Sequence, residues 1–421
     1  MKSQSLIFYF IYILPFFLIV NKGLATAITL IILIYMGFKI FYNKFEFLNY
    51  LKKNRIYIYP ILIFNTYLIF NTFFVSENYM QSIGRLLVFN IFTIFIIFFK
   101  FFLNMYSQEL NLKRLSLIFL LIIFLLIFDT YFQFFFRTDL LGYEIITFRL
   151  TGPFGDEQIV GAFLYKFMFF SIFFILKNKY LKKFLLLFLA LFLSIIILSG
   201  ERVAAIYGIF FIFIFILFNF KVINSPKQLV LLSILISIVF IQSFKVIYKS
   251  QIFNYMSYDE VNNPINYNAP NRIDEITFTI INRYTRNLYA DLNFNNSSYF
   301  KLFKSGIGVW EANKLFGVGL KNYRLKCIDL QFQKKYECSS HPHNLFIELI
   351  SELGLVGLII FCFGIFIYLY KFINNKKFPI YLLFSLSPSL LPLVNTSFFN
   401  SFSILVLLYQ IMLLMIIANY K

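Results

Sequence analysis

Long apolar stretches, broken at short intervals by connections rich in Lys or Asn, dominate this chain. Runs near 5–20, 24–42, 56–74, 83–103, 115–136, 158–176, 182–199, 203–219, 229–248, 344–370, 379–395 and 399–418 mostly reach the roughly 17–25 helical residues that cross a hydrocarbon core of about 30 Å. The pattern predicts an all-α, polytopic transmembrane bundle of about twelve spans. One long polar segment interrupts it, which divides the chain into transmembrane helices 1–9 over 1–249, a large loop over 250–342, and helices 10–12 over 343–421. Lys2 before a short apolar core and Ala25-Thr-Ala27 resemble a signal peptide, but the many spans that follow favour an uncleaved first helix.

Basic residues collect in alternate connections: Lys44, Lys52, Lys53 and Arg55; Lys100, Lys113 and Arg114; Lys177, Lys179, Lys182 and Lys183; Lys221 and Lys227; Lys371, Lys376 and Lys377. Cytoplasmic loops carry such an excess, so these connections are expected inside, with both termini. The intervening ones are acidic or nearly uncharged, and the 250–342 loop falls on the outer face. Turn-rich Asn262-Asn-Pro-Ile-Asn-Tyr-Asn-Ala-Pro270 and Asn293–Ser298 mark its first part, and helical patterning from about Arg272 predicts order over the outer mouth of the bundle.

Composition agrees with this setting. Apolar residues make up 60% of the chain and charged residues 14%, with a mean hydropathy of +0.78, far from the mix of a soluble domain. The net charge of +19 then reflects positive-inside bias and attraction to anionic membrane lipids, and no nucleic-acid partner is implied. The abundance of Phe, Tyr, Ile, Asn and Lys is background composition, so the aromatics alone carry no argument about stacking.

Cys327 and Cys338 both fall in the outer loop, whereas Cys362 lies inside a span. An oxidising compartment favours a disulfide between the first two, worth about 3 kcal/mol in the entropic account. Cys327, Cys338, His341 and His343 also have the residue types of a zinc site, but two histidines at i, i+2 do not match common zinc spacings. No metal or soluble cofactor is expected.

The chain has only two histidines, and both stand in Cys338-Ser-Ser-His-Pro-His-Asn344, where a polar loop enters the tenth span. Ser340 is a candidate N-cap and Pro342 suits a first helical turn, which places His343 inside the opening turn. There the positive end of the helix dipole disfavours an imidazolium and keeps the ring in the state a general base needs. Helical phase then puts Ile350, Gly354 and Gly357 on the face of His343, with Glu348 and Glu352 nearly opposite. A plain capping histidine in contact with solvent is the competing reading.

Arginines on the outer side form a second group. Arg202 follows Leu198-Ser-Gly-Glu201, and Arg149 precedes Leu-Thr-Gly-Pro-Phe-Gly155. An ionisable group near the membrane is costly unless it faces a cavity or partner, and guanidinium matches phosphate oxygens bidentately. Interfacial snorkelling, or an ion pair with Glu201 or with Asp156 and Glu157, is the alternative. Lys166, well inside a span, is a weaker candidate. Arg85, Arg272, Arg283, Arg286 and Arg324 are further candidates for the outer mouth.

The order Arg149-Leu-Thr-Gly152, Ser199-Gly-Glu-Arg202, Phe316-Gly-Val-Gly319, then His343-Asn344 followed by nine residues and Gly354-Leu-Val-Gly357 resembles the O-antigen ligase and polymerase superfamily, bacterial inner-membrane enzymes. The His-Asn element is similar to the ligase branch. This resemblance implies a metal-independent membrane glycosyltransferase that takes a glycan from an undecaprenyl-pyrophosphate carrier at the periplasmic face. It implies His343 as base toward an acceptor hydroxyl and Arg202 and Arg149 as holders of the pyrophosphate; Arg324, His341, Asn344 and Arg85 are expected beside them as substrate-binding positions. The acceptor would be lipid A-core, another glycan or a protein. The stretch Gly155-Asp-Glu-Gln158 is variable in such a family, and a pair like Cys327/Cys338 belongs to only some of its members.

A polymerase joining repeat units on the same carrier is the sister reading, and a lipid-linked glycan transporter is the reading from a different class. Transporters show inverted repeats and helices broken near the midplane; no internal symmetry is visible in this sequence.

Overall fold

The computed structural model describes residues 3–145, 149–218, 298–329, 337–375, 378–390 and 397–419. Among them the structure is helical, with an isolated bridge between Thr138 and Glu144. The chain divides into two compact units, one of Met1–Ile122 with Asn295–Lys421 and one of Ile123–Phe294.

The first unit holds α1 (Ser3–Val20), α2 (Lys22–Tyr42), α3 (Lys44–Lys53), α4 (Arg55–Phe70) and α5 (Tyr79–Tyr106). Asn21 starts α2 by accepting the N–H of Leu24 at 3.1 Å, and Asn78 starts α5 by accepting that of Gln81 at 3.2 Å. Each side chain satisfies a donor that the first helical turn leaves orphaned. Helix α6 (Leu112–Phe136) begins in this unit and continues into the second. After Asn295 the first unit resumes with α10 (Ser298–Ala312), α11 (Tyr323–Asp329), α12 (Leu345–Ile373), a 3₁₀ segment (Ile380–Leu386) leading into α13 (Ser387–Leu390), and α14 (Ser401–Asn419). Within it α4 packs on α12, α5 on α14, α1 on α2 and α10 on α12.

The second unit holds α7 (Val160–Lys177), α8 (Leu185–Leu198) and α9 (Arg202–Phe218), which pack on one another. Helix α7 is apolar on nearly all sides and buried along most of its length, as a helix at the centre of its unit should be.

Seven helical segments are long and apolar enough to cross a membrane among the described residues: Lys22–Tyr42, Arg55–Val75, Tyr79–Glu109, Leu112–Phe136, Val160–Lys177, Leu345–Ile373 and Ser401–Asn419. Shorter apolar helices lie at Ile7–Val20, Arg202–Phe218 and Ile380–Ser389. The expected run at 229–248 and most of the 250–342 loop, with Arg272, Arg283 and Arg286, lie outside the described residues, as do 391–396 near the end of the eleventh run.

Two chain breaks position the site. Helix α4 ends in a π-helical turn, Asn71–Val75, a wider winding often found where a side chain must be re-aimed. Helix α12 is interrupted at Gly354, whose φ of 68° and ψ of −173° are not helical.

Candidate functional site

In the first unit the site is built on the head of α12. The helix begins at Leu345, and Asn344 is its N-cap, with Oδ1 accepting from the N–H groups of Phe346 and Ile347 at 3.0 and 3.2 Å. Ser340 does not cap it: its hydroxyl lies 3.0 Å from Nδ1 of His341. His343 therefore stands outside the helix, in left-handed backbone at φ 54°, a conformation that non-glycine residues adopt seldom and that collects at functional sites. Its ring lies 4.0 Å from that of His341 and 5.8 Å, edge-on, from that of Tyr299 on α10. Gly306 lets α10 come this close, since a Cβ there would stand 2.3 Å from Cγ2 of Ile347 and 3.0 Å from Cβ of Pro342.

The expected stripe of His343, Ile350, Gly354 and Gly357 is corrected by this geometry. Helical phase cannot be counted from a residue outside the helix, nor carried past Gly354. Glu348 and Glu352, expected on the far side, are instead fully buried at 0% exposure. Glu348 accepts from the N–H of Phe398 at 2.9 Å and from the hydroxyl of Ser397; Glu352 accepts from the N–H of Lys321 at 2.8 Å. The charges of Lys321 and Arg85 face both carboxylates, and Lys321 Nζ also donates to Ser397 Oγ at 3.2 Å.

The loop Phe316-Gly-Val-Gly319 fills the break in α12. The N–H groups of Val318 and Gly319 donate to the carbonyls of Ser351 and Glu352, both at 2.9 Å, while the N–H groups of Leu355 and Val356 donate to the carbonyls of Lys314 and Leu315 at 3.0 and 3.2 Å. Four backbone groups flanking the interruption are thus paired with the loop, which is how irregular backbone is tolerated at membrane depth. Asn71, presented by the π-turn, holds the loop's other side: Nδ2 donates to the carbonyl of Phe316 at 2.8 Å, and Oδ1 accepts from Leu320 at 2.9 Å. The hydroxyl of Tyr67 donates to the carbonyl of Leu353. Glycine is required on both sides of the exchange. A Cβ on Gly317 would lie 2.5 Å from the Glu352 carbonyl, and one on Gly354 would lie 2.2 Å from that of Leu315. Gly357 does what the small-residue reading foresaw, because a Cβ there would stand 2.8 Å from Tyr67 on the neighbouring α4.

Arg85 donates to Ser401 Oγ at 2.8 Å, and the exposed Arg324 donates through Nε and Nη2 to Oε1 of Gln81 at 3.2 and 2.7 Å. Neither hydrogen-bonds to either histidine. Cys327 and Cys338 form a disulfide with Cα atoms 5.8 Å apart. That bond takes both sulfurs and leaves no thiolates for the zinc set with His341 and His343.

In the second unit the arginine motifs are held by carboxamide and carboxylate anchors. Gln133 on α6 accepts the N–H groups of Thr151 and Gly152 at 2.9 and 2.8 Å, and its Nε2 donates to Thr151 Oγ1 at 3.1 Å. The Arg149-Leu-Thr-Gly152 segment is pinned in this way. Glu201, in the turn between α8 and α9, caps α7: Oε1 accepts from Gly161 at 2.7 Å and Oε2 from Ala162 at 3.0 Å. Gly161 permits that approach, because a Cβ there would lie 2.2 Å from Ser199 Oγ. Burial pushes the Glu201 carboxyl up to about 7, against the two N–H donors and the charges of Arg149 and Lys166, which pull it down. The Arg149 charge thus faces Glu201, and Arg202 opens α9 beside it in sequence.

Sequence reasoning missed Asn71, Lys321, Glu348, Glu352 and Ser397. A carboxylate pair at i, i+4 inside an otherwise apolar span was the available signal for the two glutamates.

Helices of membrane-spanning length, apolar over most of their surface and with their interrupted backbone satisfied internally, define a multi-pass membrane protein. Residues 185–362 match the model of the O-antigen ligase family, a stretch that includes Ser199–Arg202, the 316–319 loop, the cysteine pair and His343 through Gly357. Over that stretch the chain is similar to the O-antigen ligase family, a likeness that supports glycan transfer by a membrane enzyme in general terms. No curated protein matches it.

Proposed function

We propose that this protein acts as a ligase, moving a completed glycan from undecaprenyl pyrophosphate to an acceptor hydroxyl at the periplasmic face of the inner membrane. The observation that carries the reading is the His343-Asn344 head of α12 inside the matched family region. Asn344 caps the helix, and His343, outside the helix beside His341, serves as the base. Arg149 and Arg202 take the pyrophosphate, His341, Arg324 and Arg85 assist binding, and Asn344 assists it by fixing the head of α12 through its cap. The acceptor is lipid A-core, another glycan or a protein. The topology that goes with this is twelve spans, both termini inside, and residues 250–342 as a periplasmic loop.

The chemistry balances without a metal or soluble cofactor. His343 takes the acceptor O–H proton, the acceptor oxygen bonds to the anomeric carbon, and the bond from that carbon to the diphosphate oxygen breaks. The electron pair leaves on undecaprenyl pyrophosphate, already a good leaving group. Rate acceleration comes from positioning, one proton transfer and charge stabilisation at the diphosphate.

A transporter reading draws on the broken helix. In α12, however, backbone groups on both sides of the break are paired with the 314–319 loop and with Tyr67 rather than offered to a solute.

Reconstitution with a lipid-linked oligosaccharide and candidate acceptors tests the proposal by mass analysis of the product. His343→Ala is expected to cut transfer by about 10²–10⁴-fold while the protein inserts and folds as before; unchanged transfer would sink the assignment of the base. Lengthened glycan still on the lipid carrier would identify the polymerase branch instead.

A further inference from the structure

We infer that the first unit carries a built site for an anionic phospholipid, at the opposite end of α12 from the histidines. A partly open apolar cavity of about 180 Å³ lies among α4, α5, α12 and α14, lined by residues such as Phe64, Phe92, Phe361, Ile365, Leu407 and Leu414. A second cavity of about 110 Å³ shares Ile96, Tyr368, Phe372 and Met415 with the first and leads to Lys100, Lys371, Asn54, Asn375 and Asn419. The two cavities adjoin at these shared residues, the first hydrocarbon-lined and the second cationic, which is the polarity of a phospholipid.

The two lysines are the second observation. Lys100 Nζ donates to Oδ1 of Asn419 at 2.7 Å, and Lys371 Nζ sits 3.6 Å above the ring of Tyr57. Their charges act on each other, and neither has a carboxylate partner among the described residues. Two half-buried ammonium groups sharing one mouth repel unless an anion is placed between them. A lipid phosphate supplies that anion, and its acyl chain fills the adjoining apolar space. Tyr57 and Tyr368 flank the mouth, with the Tyr368 hydroxyl donating to the carbonyl of Tyr57 at 2.8 Å.

The polyprenyl donor is not the occupant that this position favours. Lys371 lies roughly 40 Å along α12 from its head, too far for one diphosphate to serve both His343 and this mouth. The site also sits on the side whose connections hold Lys44, Lys52 and Lys53, where anionic lipid attracts basic groups at roughly 1 kcal/mol each.

The full chain is tested after purification in detergent that strips bulk lipid. Native mass spectrometry should find retained phosphatidylglycerol, and adding that lipid should raise the unfolding midpoint where phosphatidylcholine does not. The K100Q/K371Q double variant should bind phosphatidylglycerol about 30-fold more weakly, the effect of two such charges. K100R/K371R should keep binding, as should K52Q/K53Q, which loses the same net charge at exposed positions. Equal stabilisation by phosphatidylcholine, equal loss in K52Q/K53Q, or a retained polyprenyl phosphate in place of phospholipid would overturn the proposal. Should K100Q/K371Q not fold, Gly364→Leu, placed against the apolar cavity, is the second probe: it should weaken phosphatidylglycerol retention, and unaltered retention would count against the site.

Discussion

At the residue scale, the head of α12 depends on a few side chains whose roles are exclusive of one another. Asn344 satisfies two N–H groups of the first turn, so Asn344→Ala should cost about 1 kcal/mol, read as a lower unfolding midpoint. Gly354 stands under a stronger constraint, combining positive φ with a carbonyl 2.2 Å from any added Cβ. Gly354→Ala should cost at least about 1–3 kcal/mol from backbone strain alone and displace the 314–319 loop. Parallel unfolding curves and limited proteolysis within that loop check this; a neutral substitution would contradict the observed break. The polar-to-apolar boundary at His343 and Asn344, where α12 begins, was legible in the sequence. Its surroundings were not legible, because periodicity assumes a continuous helix that includes His343. The left-handed φ of His343 and the break at Gly354 remove both conditions, and for the same reason Glu348 and Glu352 turn out to be buried rather than turned away.

At the element scale, segments distant in sequence complete one another. Helix α12 can be broken because the 314–319 loop supplies the missing donors and acceptors, and that loop is held by Asn71 from the π-turn. The apolar runs were legible as helices because burial in lipid or protein demands the same composition, whereas a π-turn and a helix break have no periodic signature. The Cys327–Cys338 disulfide staples the end of α11 to the strand of loop before the histidines. Replacing both cysteines by serine should lower stability by about 3 kcal/mol in the entropic account, and reductant should reproduce the shift in the wild type only. Helix α7 is expected to respond to pH through its cap. The Glu201 carboxyl, with an ordinary value of 4.5, is pushed up to about 7, so ionising it is harder in the folded protein than in the unfolded one. Its contribution is then full below about 4.5 and is lost as pH rises through about 7. Glu201→Gln should lower the baseline, since the amide presents a donor to one of the two N–H groups of α7, and should flatten the fall in unfolding midpoint between about pH 5 and pH 8. A slope unchanged from wild type would assign the pH dependence to another group.

At the scale of the whole molecule, sidedness decides whether the proposed chemistry can meet its substrate. The basic connections, including Lys52 and Lys53, alternate along the sequence with acidic or uncharged ones, and the positive-inside rule assigns the former to the cytoplasm. On that assignment α10 and the histidines face the periplasm, where a cytoplasmic cofactor has no access and a disulfide persists. Cysteine accessibility tests this directly. The free thiol, Cys362, is first removed as Cys362→Ser, while Cys327 and Cys338 stay bonded to each other. In that background Glu311→Cys, at an exposed position of α10, should react with a membrane-impermeant maleimide in intact cells, and Lys53→Cys, at an exposed position of α3, only after permeabilisation. Reaction of both from outside would break the alternation on which the twelve-span topology rests. Reaction of Lys53→Cys alone would invert it, placing His343 on the cytoplasmic side, where the proposed periplasmic acceptor could not reach it.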